Sequence, residues 1–147
     1  MQRATYEDAG LILKLDEHRR DDKLRKAREW FIREFSASSF GEFMEKYPPG
    51  SEQNAYYRMM TSYWEMAASF VARGILHDEL FFENSGEAVF VFEKIRAFLP
   101  EYRKGMNNPI ALRNLEQVVT RHIAWMNQNA PGAYEAFVSR VRSTMKK

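Results

Sequence analysis

Apolar side chains recur at three- and four-residue intervals along most of this chain, the period of helices buried on one face. Leu11, Ile12 and Leu15 predict a first helix from about residue 5 to residue 19. In "RRDDKLRKAREWFIREF", Asp21 is an N-cap and Asp22 sits in the first turn, both favoured at a helix N-terminus. Leu24, Ala27, Trp30, Phe31 and Phe35 then follow at helical spacing. Whether residues 5–36 form one helix or two stays open. "SASSFGEFMEKYPPGS" predicts a short helix around residues 40–47, ended by Pro48, Pro49 and Gly50.

Ser51 is a good N-cap, with Glu52 in the first turn, for a helix running to about Leu76. "HDELFFENSG" reads as a short turn-like segment, with Asp78 as a cap for the next short helix. "AVFVF" alone has strand propensity. Ala88, Val91, Phe92, Ile95, Phe98 and Leu99 nevertheless keep helical spacing, and Glu93, Lys94 and Arg96 supply a polar face. Pro100 should kink or restart that helix, and Gly105 should help end it. Asn108 as N-cap and Pro109 at the first position predict the next helix, striped with Leu112, Leu115, Val119, Ile123 and Met126. A final helix begins near Pro131 and buries Tyr134, Phe137, Val138 and Val141. The expected fold is all-α, a single-domain bundle of about six helices over residues 1–147.

"YYRMMTSYWEMAASFVARGIL", residues 56–76, is the most apolar of these helices. Tyr56, Met60, Tyr63, Ala67 and Phe70 share one face. Tyr57, Trp64, Ala68, Val71 and Ile75 lie beside them, and Met59 and Met66 widen the surface. Such a helix is central in a bundle unless the other helices fail to cover it; the excess would then be an interface or a ligand groove. Arg58, Ser62, Glu65, Ser69 and Arg73 form one narrow polar stripe along it. The stripe is either a solvent-facing strip or an internal polar network. In the second case Glu65 is expected to be largely buried and paired with Arg103, from the helix after Pro100.

Apolar residues make up 45% of the 147-residue chain and charged residues 29%, which fits a folded protein rather than a disordered one. The start lacks the apolar stretch of a signal peptide, and no run approaches the roughly 20 apolar residues of a membrane span. The absence of cysteine excludes disulfides, a thiolate nucleophile and a cysteine zinc site, and permits a cytoplasmic location. Charge is uneven. Residues 1–93 carry 12 Lys/Arg against 17 Asp/Glu, whereas residues 94–147 carry 10 against 3. The two parts are expected to neutralise each other, the alternative being an acidic or nucleic-acid partner.

Candidate chemistry is sparse. His18, His77 and His122 form no metal-ligand spacing. His77 and Asp78 read as turn residues, and His122 as a partly buried histidine beside Ile123 and Trp125. No phosphate-binding or serine-hydrolase motif is present. "RRDDKLRKAR" and the tail "RVRSTMKK" could meet phosphates, yet Asp21, Asp22 and Glu29 interleave with the bases, as on a solvated, ion-paired helix.

Residues 63–119 resemble an uncharacterised, mainly bacterial family known only as a domain of unknown function. Glu65, Arg73, Gly74, Ile75, Leu76, Leu80, Pro100 and Arg103 carry the resemblance. It implies a helical fold and brings no catalytic residue or ligand with it; some relatives look anchored by an added N-terminal segment. The leading functional expectation is a non-enzymatic helical interaction module, self-associating as a homodimer or binding another protein, without catalytic residue, metal or cofactor. The alternative is a small-ligand binder or enzyme with an interhelical pocket around Glu65, using Arg58, Arg73, Arg103 or a nearby tyrosine. A weaker third is nucleic-acid or anionic-surface binding.

Overall fold

The computed structural model describes residues 2–145, and every regular element among them is a helix. Nine helices follow one another in those residues: α1 (Tyr6–His18), α2 (Asp22–Arg33), α3 (Phe40–Lys46), α4 (Glu52–Ala72), α5 (Asp78–Asn84), α6 (Gly86–Ile95), α7 (Leu99–Gly105), α8 (Arg113–Asn129) and α9 (Ala133–Ser143). The all-α expectation holds. The number is nine rather than about six, because short helices such as α5 and α7 replace expected turns and extensions. Lys146 and Lys147, the last two bases of the basic tail, lie outside the described residues.

Local chemistry explains most boundaries. Thr5 opens α1 with a capping box, its hydroxyl accepting from Asp8 N while Asp8 accepts from Thr5 N. Residues 5–36 hold two helices, since Asp21 accepts from the N–H groups of Lys23 and Leu24 and starts α2 afresh. Ser39 and Ser51 cap α3 and α4 in the same way. The segment 78–84 is helix rather than turn, and its N-cap is His77, not Asp78: His77 Nδ1 accepts from Leu80 N at 3.1 Å. Residues 88–95 lie in α6, without strand. Pro100 stands in the first turn of α7 and restarts the chain there, as expected.

The start of α8 departs from expectation. Asn108 does not open it; Asn108 Oδ1 only accepts from Ile110 N, in a turn. The helix begins at Arg113, after Leu112 in the left-handed region at φ 58°. A leucine tolerates that conformation poorly.

α4 is the axis of the fold, packed against α2, α6 and α8. Tyr57, Met60, Trp64, Ala67 and Ala68 are all at most 1% exposed. Phe35, Phe43, Tyr57 and Phe98 interlock at centroid separations of 4.6–6.5 Å, within the range of favourable aromatic pairing. Each such ring contributes about 1.5–3 kcal/mol by leaving water. The aromatic surplus of α4 is thereby absorbed by the chain's own core. α9 buries Val138 and Val141, with Tyr134 and Phe137 half-buried.

Candidate functional site

Glu65 answers to α8, not to an arginine. Its Oε1 accepts from Leu115 N at 2.8 Å, and its Oε2 accepts from Asn114 Nδ2 at 2.8 Å and from Asn114 N at 3.3 Å. Those backbone N–H groups belong to the first turn of α8, where no intrahelical acceptor exists. Leu112 has no side-chain acceptor to offer. A carboxylate from the middle of α4 therefore does the capping, and its charge suits the positive end of the α8 dipole. Arg103, the partner expected from sequence, turns elsewhere: its Nε donates to Ala111 O at 2.9 Å and its guanidinium pairs with Glu116 at 2.8 Å. Glu65 and Arg103 thus serve the same helix start through different atoms, and Glu65 is half-buried rather than largely buried.

The other members of the polar stripe line the outside. Arg58, Ser62 and Arg73 are exposed and Ser69 is half-buried. Ser62 and Ser69 return their hydroxyls to carbonyls of the preceding turn. The stripe is a solvent-facing strip with Glu65 at its edge.

A second charge satisfies the other kind of helix end. Lys94, expected on a polar face, is 0% exposed. Its Nζ donates to the carbonyls of Phe31, Ile32 and Phe35 at 2.9, 3.0 and 2.9 Å, where α2 ends. The Phe90 ring lies 5.3 Å from it. Burial pushes the ammonium down to about 8. Sequence spacing alone cannot find such a lysine, because its partners belong to a different helix, far back along the chain.

The remaining polar groups are similarly engaged. Glu87 receives Arg28, lies 3.5 Å from Arg19 and accepts from Trp64 Nε1 at 3.3 Å. Arg20 pairs with Asp16 at 2.9 Å, so three bases of "RRDDKLRKAR" answer to acids. Between the acidic and basic parts of the chain run the ion pairs Arg96–Glu93 and Arg121–Asp78. His77 Nδ1 is an acceptor, so Nε2 carries the proton that it gives to Gln2 O at 2.8 Å. His122 is buried against Phe82, its ring stacked at 4.6 Å, with Nδ1 unpartnered; burial pushes it down to about 4. Among the described residues, no three of His, Asp or Glu are grouped as metal donors.

The profile of one protein family, described as a domain of unknown function (DUF4760), matches residues 4–122. The chain belongs to that family. No curated protein and no solved structure matches it. In this DUF4760 chain the matched region runs from the α1 cap into α8, and so includes Glu65, Lys94 and the helix ends they serve.

Two further features of the DUF4760 chain escape its sequence pattern. The first is the outer face of α1. Tyr6 is 97% exposed and Leu13 68%. Gly10 lies between them on the same side, opposite the buried Asp8 and Leu15. Among the described residues, a methyl group added at Gly10 would meet nothing within 4 Å. The second is a recess of about 190 Å³ between α3, α4 and α7, lined by Phe43, Tyr57, Arg58, Tyr102 and Met106 among others. No described helix is long and apolar enough to cross a membrane.

Proposed function

We propose that this chain is a non-enzymatic helical interaction module that self-associates, two copies of α1 crossing antiparallel with Gly10 at the crossing. Gly10 carries the reading. Glycine inside a helix costs roughly 0.5–1 kcal/mol relative to alanine, and no contact among the described residues requires it here. A bare backbone flanked by an exposed tyrosine and an exposed leucine is what a second helix needs to approach closely. In an antiparallel, two-fold arrangement Tyr6 of one copy meets Leu13 of the other, and the converse.

The core already covers the α4 aromatics, so association has to use another surface, and α1 supplies one. The strip is small against a standard interface of about 800 Å² per partner, which fits a micromolar dimer rather than an obligate one. The alternative centred on Glu65 loses force, since both oxygens of that carboxylate are bound by α8. A cytoplasmic setting belongs to the same proposal.

Light scattering across a concentration series tests it. A dimer mass at micromolar concentration is expected, falling to monomer in the Tyr6→Ser, Leu13→Ser double variant. A monomer mass for the unaltered chain across the whole range defeats the reading.

A further inference from the structure

We propose that the recess between α3, α4 and α7 binds a small organic carboxylate, held by Arg58 at its mouth and by the hydroxyls of Tyr57 and Tyr102 within. The inference is independent of self-association through α1.

Tyr57 supplies the first observation. It is 1% exposed, and its Oη is the sole buried side-chain oxygen among the described residues without a hydrogen-bond partner. Buried hydroxyls almost always find a partner, because leaving one unpaired costs about 1–3 kcal/mol. An unpaired one on the lining of a recess is a vacant donor. Burial and the neighbouring Tyr102 hold the Tyr57 phenol well above its ordinary range, so it stays protonated and able to donate.

Arg58 supplies the second. Its Nε donates to Asn54 Oδ1 at 3.1 Å, and Asn54 is itself buried and anchored through Nδ2 to Tyr47 O at 2.9 Å. That chain of bonds fixes the guanidinium at one edge and leaves its terminal nitrogens free. Among the described residues no carboxylate pairs with Arg58, which leaves its charge available to a ligand. Burial raises the Tyr102 phenol, against the lowering influence of the adjacent Tyr57 hydroxyl and, after it, of the Arg58 charge. Arg58, Tyr57 and Tyr102 all line the same recess.

The walls set the ligand's body. Phe43, Met44 and Met106 are apolar, and methionines accommodate varied shapes. The volume equals that of about six waters at roughly 30 Å³ each. A planar acid of one ring fits such a space, its carboxylate outward on Arg58 and an acceptor group inward on Tyr57. Guanidinium recognises a carboxylate through paired N–H bonds, a geometry a lysine cannot reproduce.

The test uses 4-hydroxybenzoate as probe and neutral 4-hydroxybenzamide as control, titrated against the isotope-labelled full chain by NMR. Shifts confined to residues around Phe43, Tyr57, Arg58 and Tyr102 are expected with the acid, and at least tenfold weaker binding with the amide. Arg58→Gln, at an exposed position, should weaken the acid by about tenfold or more, as loss of a charge-assisted bond implies. Tyr57→Phe should weaken it several-fold while leaving the fold nearly as stable as before, since the deleted hydroxyl makes no well-formed hydrogen bond. Equal binding of acid and amide, no shift at these residues up to about 10 mM, or full binding by Arg58→Gln would overturn the proposal. If Tyr57→Phe fails to fold, the orphan-hydroxyl premise falls with it.

Discussion

Lys94 Nζ lies 2.9 Å from the carbonyl oxygen of Phe35, inside a core from which its side chain is wholly hidden from water. The same ammonium reaches the carbonyls of Phe31 and Ile32. A helix end normally leaves its last carbonyls to water or to a glycine turn. Here the carbonyls of Phe31 and Phe35 are buried, so water cannot serve them, and a lysine from α6 replaces it.

Lys94→Met keeps the volume and removes the donors. Each buried carbonyl left unpaired costs about 1–3 kcal/mol, partly offset by no longer burying a charge. A net loss of roughly 2–4 kcal/mol is expected, read as a lower denaturant midpoint with unchanged slope. A variant as stable as the parent would mean that the three bonds do no more than compensate desolvation.

Glu65 does for α8 what Lys94 does for α2, with the sign reversed. Glu65→Ala should cost about 0.5–2 kcal/mol, the range for loss of an N-cap. The loss should appear as faster amide exchange at Asn114 and Leu115, whose N–H groups it holds. Exchange unchanged at those two amides would show that α8 keeps its first turn without the carboxylate.

The two helix-end charges mark the limit of what the sequence discloses. Apolar spacing is a local property, and it locates α1, α2, α4, α6, α8 and α9 because each buries a stripe of its own residues. α5 is legible only as a short segment with its cap set at Asp78, since seven residues hold too few repeats and the cap in use is the imidazole nitrogen of His77 rather than a hydroxyl or carboxylate. The start of α8 is misplaced for a different reason: "NNP" offers a plausible local cap, but the acceptor in use lies 49 residues earlier on α4. Glu65 is legible as a structural carboxylate on a polar stripe, yet its partner is not, because a backbone N–H has no sequence signature. Spacing puts Lys94 on the correct helix and the wrong face.

His122 gives the fold a pH dependence of its own. Burial pushes its folded value to about 4, below the ordinary value of 6.5. Between those values the unfolded chain takes up a proton that the folded chain refuses, so stability rises with pH there. The contribution is complete above about 6.5 and is lost as pH falls towards 4, at a cost approaching ~3 kcal/mol by 1.36 kcal/mol per unit. Glu42, held down to about 2 by Lys46 and Ser38, acts only at lower pH. Denaturant midpoints measured from pH 7 to pH 4.5 should fall for the parent and fall less for His122→Phe, which keeps the ring stacked on Phe82. Parallel curves for the two proteins would locate the acid sensitivity elsewhere.

Gly10→Ala separates folding from association in one substitution. Among the described residues of the chain, the added methyl group meets nothing, and the backbone is already helical. It should therefore stabilise the fold by roughly 0.4–1 kcal/mol, by restricting the unfolded chain. Between copies, the same methyl group holds two α1 backbones apart where a bare one lets them touch. Packing tolerates little added volume at a close crossing, so the dimer should weaken while each subunit gains stability. Those opposite signs are hard to obtain from any role confined to the monomer. Thermal melts at low concentration read the first effect, and sedimentation across a concentration series reads the second. A variant that is more stable and equally dimeric would move the interface away from Gly10, and a less stable one would show that α1 needs its glycine for folding.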